Sequence, residues 1–305
     1  MRSSSCVLSV LAAAHAAAPW RNATPATPTG ELDSLRRKLL FSYERSKRCN
    51  ATRPLYFIVV SEQRSGSTWL KEMLNGHPCV FMYGELFMNS VRRKQFEMHL
   101  LSPQQFMGKN EHKPAVKHLH AVGLKAFYYT TAQPTTLRPG NVALFARVSK
   151  FMRVHQGSFI WLRRENLLDR FLSDTRAHSP GLAGHCQKVA GCDQSKVAQM
   201  TWKLDIKKMR KFLDEAAEGE RGVDQMLKEL GRPRLDVSYD ALREGQGEWR
   251  RILEFLGFDP GDVRLLHTTL SKDIVRKHSE VISNWADVQR ALMGTEHAKY
   301  LADVR

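Results

Sequence analysis

The sequence predicts an α/β fold in which a central parallel β-sheet is flanked by helices, in three layers, and three observations predict it. Leu55 to Val60 is a continuous apolar run rich in β-branched and aromatic residues, followed at once by a short polar turn and an amphipathic stretch. Phe159 to Leu162 repeats the pattern and runs into Leu167, Leu168, Phe171 and Leu172 at helical spacing. Trp249, Ile252, Leu253 and Leu256 mark a further helical segment downstream. Strands that alternate with helices pair in parallel, because each helix carries the chain back across the sheet. With 42% hydrophobic and 26% charged residues the chain can bury a core, which argues against a disordered or fibrous protein, and 305 residues fit one large domain.

The chain opens with Arg2 and an apolar run of small residues from Cys6 to Ala18, ahead of Pro19 and a Thr/Pro-rich stretch. Residues 1–18 read as a secretory signal, so the secretory pathway, and within it the Golgi lumen, is the expected location. An acid-free start with Arg and Ser also suits a plastid or mitochondrial transit peptide, the alternative location. The run falls short of the roughly 20 apolar residues that span a membrane, so an anchor holding the protein beside a membrane is the lesser reading. Residues 19–52 form a Thr/Pro-rich and basic lead-in, with Glu31 to Lys47 reading as a basic helix, and the folded domain is expected over residues 53–305. Asn22-Ala23-Thr24 and Asn50-Ala51-Thr52 are glycosylation acceptors on the secretory route. Loss of Cys6 with the leader leaves Cys49, Cys79, Cys186 and Cys192, and the last two, close together in a Gly-containing loop, are expected to form a local disulfide. The alternative is free thiols in a reducing compartment, with Cys49 and Cys79 packed in the core.

Further along, Asn75-Gly76 and Pro78 stop the helix that carries Trp69, Leu70, Met73 and Leu74 on one face. Trp202, Ile206, Met209, Leu213 and Ala216 follow helical spacing, as do Trp249, Ile252, Leu253 and Leu256, and both stripes read as core. A formal charge of +16 favours an anionic ligand, which could be a nucleotide, a nucleic acid, an acidic glycan or a membrane surface. The absence of a nucleic-acid-binding motif or stacking run sets nucleic acid aside.

The turn after the first strand narrows the choice. It reads Ser61-Glu62-Gln63-Arg64-Ser65-Gly66-Ser67-Thr68-Trp69. Small residues let backbone amides approach an anion, Gly66 relieves steric limits, and the Ser65, Ser67 and Thr68 hydroxyls can donate further hydrogen bonds at a helix start. Arg64 adds a fixed positive charge. The Walker A pattern lacks its leading Gly and its Lys here, which disfavours a nucleotide kinase.

This segment resembles the 5′-phosphosulfate loop of sulfotransferases that use 3′-phosphoadenosine 5′-phosphosulfate (PAPS): a strand, a basic residue, Ser-Gly-[ST]-[ST]-Trp, then a helix. Arg64 to Trp69 matches every position, and Arg in the basic position is similar to carbohydrate-acting and bacterial or algal relatives. The resemblance implies a P-loop-like sheet and assigns Arg64, Ser65, Gly66, Ser67, Thr68 and Trp69 to the nucleotide. It also implies that an Arg at a later strand end and a Ser about two turns along the next helix bind the 3′-phosphate. Arg163 or Arg164, with Ser173, fits that description, the spacing leaving both arginines open. Val122-Gly123-Leu124-Lys125 before an aromatic strand, and Val237 to Leu242 preceding Ile252 to Gly257, recur in the same superfamily. Ser271-Lys272 through Lys277 and Ile282 to Trp285 resemble a family tail in which Lys272, Arg276 and Lys277 would reach the 3′-phosphate; a solvated basic tail is the alternative.

The implied function is transfer of a sulfuryl group from PAPS, which leaves as 3′-phosphoadenosine 5′-phosphate, to an acceptor hydroxyl, with no metal required and Arg64 stabilising the leaving oxygen. The expected acceptor is a carbohydrate, with basic residues pointing to an anionic one. An alcohol needs a base for its proton. Glu85, in Tyr83-Gly84-Glu85-Leu86-Phe87, is the first choice by resemblance to carbohydrate-acting members; His118 and His120 are its rivals. The alternative function is a glycan- or nucleic-acid-binding protein that uses its basic surface without catalysis.

Overall fold

The chain forms a five-stranded sheet in the order β2-β3-β1-β4-β5, seen here in a computed structural model that describes residues 49, 53–88, 90–103, 119–128, 142–179, 200–268, 270 and 276–302. The leader, most of the lead-in with its Glu31 to Lys47 stretch, both glycosylation triplets, His118, Cys186, Cys192 and Lys272 lie outside the described residues. The strands are β1 (Leu55–Ser61), β2 (Val80–Tyr83), β3 (Ala121–Phe127), β4 (Ser158–Arg163) and β5 (Arg234–Ser238), and every pairing between them is parallel. The α/β architecture read from the sequence is therefore the one observed.

Helices fill both faces because the strands are apolar on both sides. Ile58, Val60, Phe159 and Trp161 point to one face, against Val148 and Met152 of α4 (Val142–Val154) and Val223, Met226 and Leu227 of α6 (Ile206–Leu230). Phe57, Val59, Ile160 and Leu162 point to the other, against Leu70 and Leu74 of α1 (Ser67–Gly76) and Ile252 and Leu253 of α8 (Gly247–Phe255). Each such side chain taken fully from water contributes roughly 1.5–3 kcal/mol, so the sheet is the main source of cohesion. Between these elements lie the short α2 (Ser90–Lys94) and α3 (Phe96–Leu101), α5 (Leu167–Ala177) and α7 (Tyr239–Glu244). Two final helices, α9 (His278–Val281) and α10 (Trp285–Leu292), pack with α5 and the amino half of α6 in a third cluster.

Two sequence expectations change, and one alternative is set aside. Val122 to Lys125 does not precede a strand but lies inside β3. Trp202 is buried as expected, yet it is not on the helix: it bridges to Ile282 as an isolated β-pair, and α6 begins at Ile206 because the Asp205 side chain accepts a hydrogen bond from the Lys208 amide. Cys49 and Cys79 are joined by a disulfide, with Cα atoms 5.2 Å apart, instead of packing as thiols. The Cys186–Cys192 pairing lies outside the described residues.

Candidate active site

β1 is flanked by β3 on one side and β4 on the other, so the chain order reverses across it, and ligands of open α/β sheets bind in the crevice at the carboxyl ends of strands at such a point. The Ser/Gly turn occupies that position. Arg64 has φ 64° and Gly66 φ 80°, both left-handed, and the two together fold the backbone into a tight bend before α1. The glycine is required twice over. A Cβ there would lie 2.2 Å from Tyr239 Cδ2, so the Tyr239 ring, at the start of α7, packs directly on the loop. Gly66 caps α1 without a side chain and the first turn carries no acidic residue, so the positive end of the helix dipole is left facing the crevice. Ser65 and Ser67 are buried, while Thr68 and Trp69 are half-buried, the Trp69 ring edge-on to Tyr239 and Trp249.

The loop is tied to α5. Arg64 Nε donates to Ser173 Oγ at 3.1 Å, across 109 residues of chain. Asp169 lies one turn earlier on the same face of α5, and Arg164 Nη2 is 3.5 Å from its Oδ2. The Arg164 guanidinium also covers the Tyr239 ring, 5.1 Å from its centre. Arg64, Ser173, Arg164 and Tyr239 are thus linked in one set of contacts between the loop, α5 and α7. Arg163 does not join them: as the last residue of β4 it follows strand alternation, with its guanidinium over Trp161 on the α4/α6 face. Arg276 turns toward Glu280 and donates to the Met200 carbonyl.

On the other side of β1, Lys125 Nζ lies 2.8 Å from Glu85 Oε1 and donates to Thr68 Oγ1 at 3.2 Å. This follows from register. Tyr83 of β2 is level with Leu124 of β3, so the next residues, Gly84 and Lys125, meet, and the Lys125 amide donates to the Gly84 carbonyl. Lys125 is only 4% exposed while Glu85 is 39% exposed, so a buried ammonium carries the carboxylate at the crevice rim. A buried cation needs such partners, and the Phe127 ring, 4.7 Å away, supplies another. Lys125 was missed as a functional residue in the sequence. The signal was a lone Lys inside the otherwise apolar run from Ala121 to Phe127.

His120 sits elsewhere. It precedes β3 at the amino edge of the sheet, roughly 20 Å from the strand's far end, with its ring against Phe258, and burial lowers its pKa. Beneath the loop, Glu62 is paired with Arg170 of α5, and both are buried. Burial raises the Glu62 carboxyl to about 7, with Arg170 opposing the shift and Glu220 adding to it. Burial alone would raise Asp169 too. The His278 hydrogen bond and the Arg164 charge outweigh it and hold that carboxyl below its usual value.

A parallel sheet with a glycine-hinged, cation-lined turn at its switch point has the architecture of the phosphate-loop class of α/β proteins. A family model described as the sulfotransferase family matches residues 54–262, and the chain belongs to that family. It is a transferase that moves a sulfuryl group. No curated protein matches the chain.

Proposed function

We propose that this sulfotransferase takes its sulfuryl group from PAPS and places it on a hydroxyl of a carbohydrate acceptor, by in-line displacement with Glu85 as general base. The observation that carries this reading is Lys125 held between Glu85 and Thr68. It puts a candidate base, a buried cation and the anion loop within one hydrogen-bond chain. Arg64, Ser65, Gly66, Ser67 and Thr68 hold the 5′-phosphate, and Trp69 offers an aromatic face beside them. Arg164 and Ser173 take the 3′-phosphate; Arg163, turned to the opposite face, does not.

As the acceptor oxygen bonds to sulfur, the bond from sulfur to the bridging phosphate oxygen breaks. The acceptor proton passes to the Glu85 carboxylate, and the electron pair left on the phosphate is met by Arg64, Lys125 and the amides that open α1. Arg92, Arg93 and Lys94, in the last turn of α2 just beyond Glu85, favour an anionic sugar chain. The Cys49–Cys79 bond supports an oxidising compartment, in keeping with the secretory route and the Golgi lumen.

Titration calorimetry of the full chain with 3′-phosphoadenosine 5′-phosphate, and with AMP as control, tests the donor site. Strong preference for the bisphosphate, lost in Ser173→Ala, with both nucleotides weakened in Arg64→Ala, is the expected result, after which sugar acceptors are screened with Glu85→Gln as the inactive control. Equal affinity of folded wild type for the two nucleotides would sink the PAPS reading and leave a polyanion binder ahead.

A further inference from the structure

We propose that Asp169 and His278 are positioning residues for the 3′-phosphate contact: they hold the Arg164 guanidinium toward the nucleotide and couple that contact to the C-terminal segment. The inference rests on the reading of Arg164 as the 3′-phosphate ligand. Asp169 divides its two oxygens between two elements. Oδ2 faces Arg164 Nη2 at 3.5 Å, and Oδ1 accepts from His278 Nε2 at 2.7 Å. A carboxylate only accepts, so this bond places the imidazole proton on Nε2.

The backbone that carries the carboxylate is fixed. Asn166 caps α5 by accepting from the Leu168 and Asp169 amides, and its Nδ2 donates to the Tyr300 and Ala302 carbonyls. His278 opens α9, is nearly fully buried, and lies against the Trp285 ring with centroids 5.2 Å apart. The start of α5 is therefore where His278 and the last described residues of the chain converge on the helix that carries Ser173. Arg164 has a second acidic neighbour, Asp240, which also faces Arg243. Without the Asp169 charge the guanidinium is drawn to Asp240, and its alignment with the nucleotide is lost while its charge remains. Asp169 has this effect through Arg164, and His278 through Asp169, so the expected losses descend in that order.

The readout is the affinity ratio of 3′-phosphoadenosine 5′-phosphate to AMP, measured by calorimetry on full-length wild type, Asp169→Asn, His278→Gln and Arg164→Ala. A charged hydrogen bond is worth roughly 10- to 100-fold, which is the ratio expected of wild type and lost in Arg164→Ala. Asp169→Asn should cut the ratio about fivefold and His278→Gln about two- to threefold, with AMP affinity held, since the two residues stand one and two contacts removed from the phosphate. A purely structural role would instead lower the melting temperature, or weaken both nucleotides alike, with the ratio kept. Either of those results, in variants that fold, would overturn the proposal while Arg164→Ala still abolishes the preference. If Asp169→Asn does not fold, the ratio in His278→Gln decides. Wild type that does not distinguish the nucleotides, or an Arg164→Ala that still does, removes the underlying site assignment instead and the proposal with it.

Discussion

The two edges of the sheet use similar side chains toward opposite ends. At the amino edge, Cys49 is bonded to Cys79, the Cys79 amide donates to His77 Nδ1, the His120 amide donates to the Cys79 carbonyl, and the His77 and His120 rings both rest on Phe258. The backbone groups named there pair with their neighbours and close the amino ends of β1, β2 and β3. At the carboxyl edge, Arg64 holds a left-handed backbone, Lys125 is buried as a cation, and Glu85 is offered to the surface. One edge is fastened and the other is charged. A histidine or an acid is thus no guide to chemistry until its edge is known.

Breaking the fastening should have the largest effect. For a loop of 30 residues, loss of the disulfide in Cys79→Ser should cost about 3–4 kcal/mol in chemical denaturation. Turnover at a temperature where the variant is folded should stay within about twofold, and a large loss of kcat there would show that the amino edge reaches the chemistry. At the carboxyl edge the reverse holds. Lys125→Met should lower kcat by about 10²- to 10³-fold, as for removal of one donor from a charged transition state, with nucleotide affinity little changed; an unaltered kcat would remove Lys125 from the reaction.

Glu62 sharpens the comparison, because it is a buried acid at the charged edge. Its folded pKa is raised to about 7 from an ordinary value of 4.5, so the folded protein binds the extra proton. That contribution is fully present below about pH 4.5 and is lost as pH rises through about 7. Melting temperatures of wild type should therefore fall, relative to Glu62→Gln, by a few degrees between pH 5 and pH 8; parallel curves would show that the pair with Arg170 stays ionised throughout. The smallest effect is expected of His120→Gln, whose kcat should match wild type within about twofold. A hundredfold loss there, with the fold intact, would return His120 to the list of bases.

Local features were legible in the sequence because they are written in neighbouring residues. The apolar run of β1, the small residues of its turn and the helix that follows are contiguous, and so are β4 and α5. What sequence spacing left open was set by pairing between distant segments. The meeting of Lys125 with Glu85 follows from the β2–β3 register, and the turning of Arg163 and Arg164 to opposite faces from the phase of alternation at the end of β4. The Cys49–Cys79 bond spans 30 residues, and cysteine proximity in sequence pointed to another pair. Trp202 kept the helical period of the residues after it but fell outside α6, since periodicity does not see a cap. Family resemblance supplied Glu85 as a candidate; only the fold supplied its partner.

The left-handed backbone of Arg64 has a consequence for how this protein can change. A residue with a Cβ gives up roughly 1–2 kcal/mol to sit at φ 64°, whereas glycine would sit there freely. Ser173 and the packed loop keep the side chain in place, so its orientation is settled on folding, before any anion arrives. A glycine at this position would relieve the backbone but give up both the bond to Ser173 and the loop's charge. Strain held at a charged residue in a loop of this kind is the pattern expected where backbone freedom is given up for a fixed side chain.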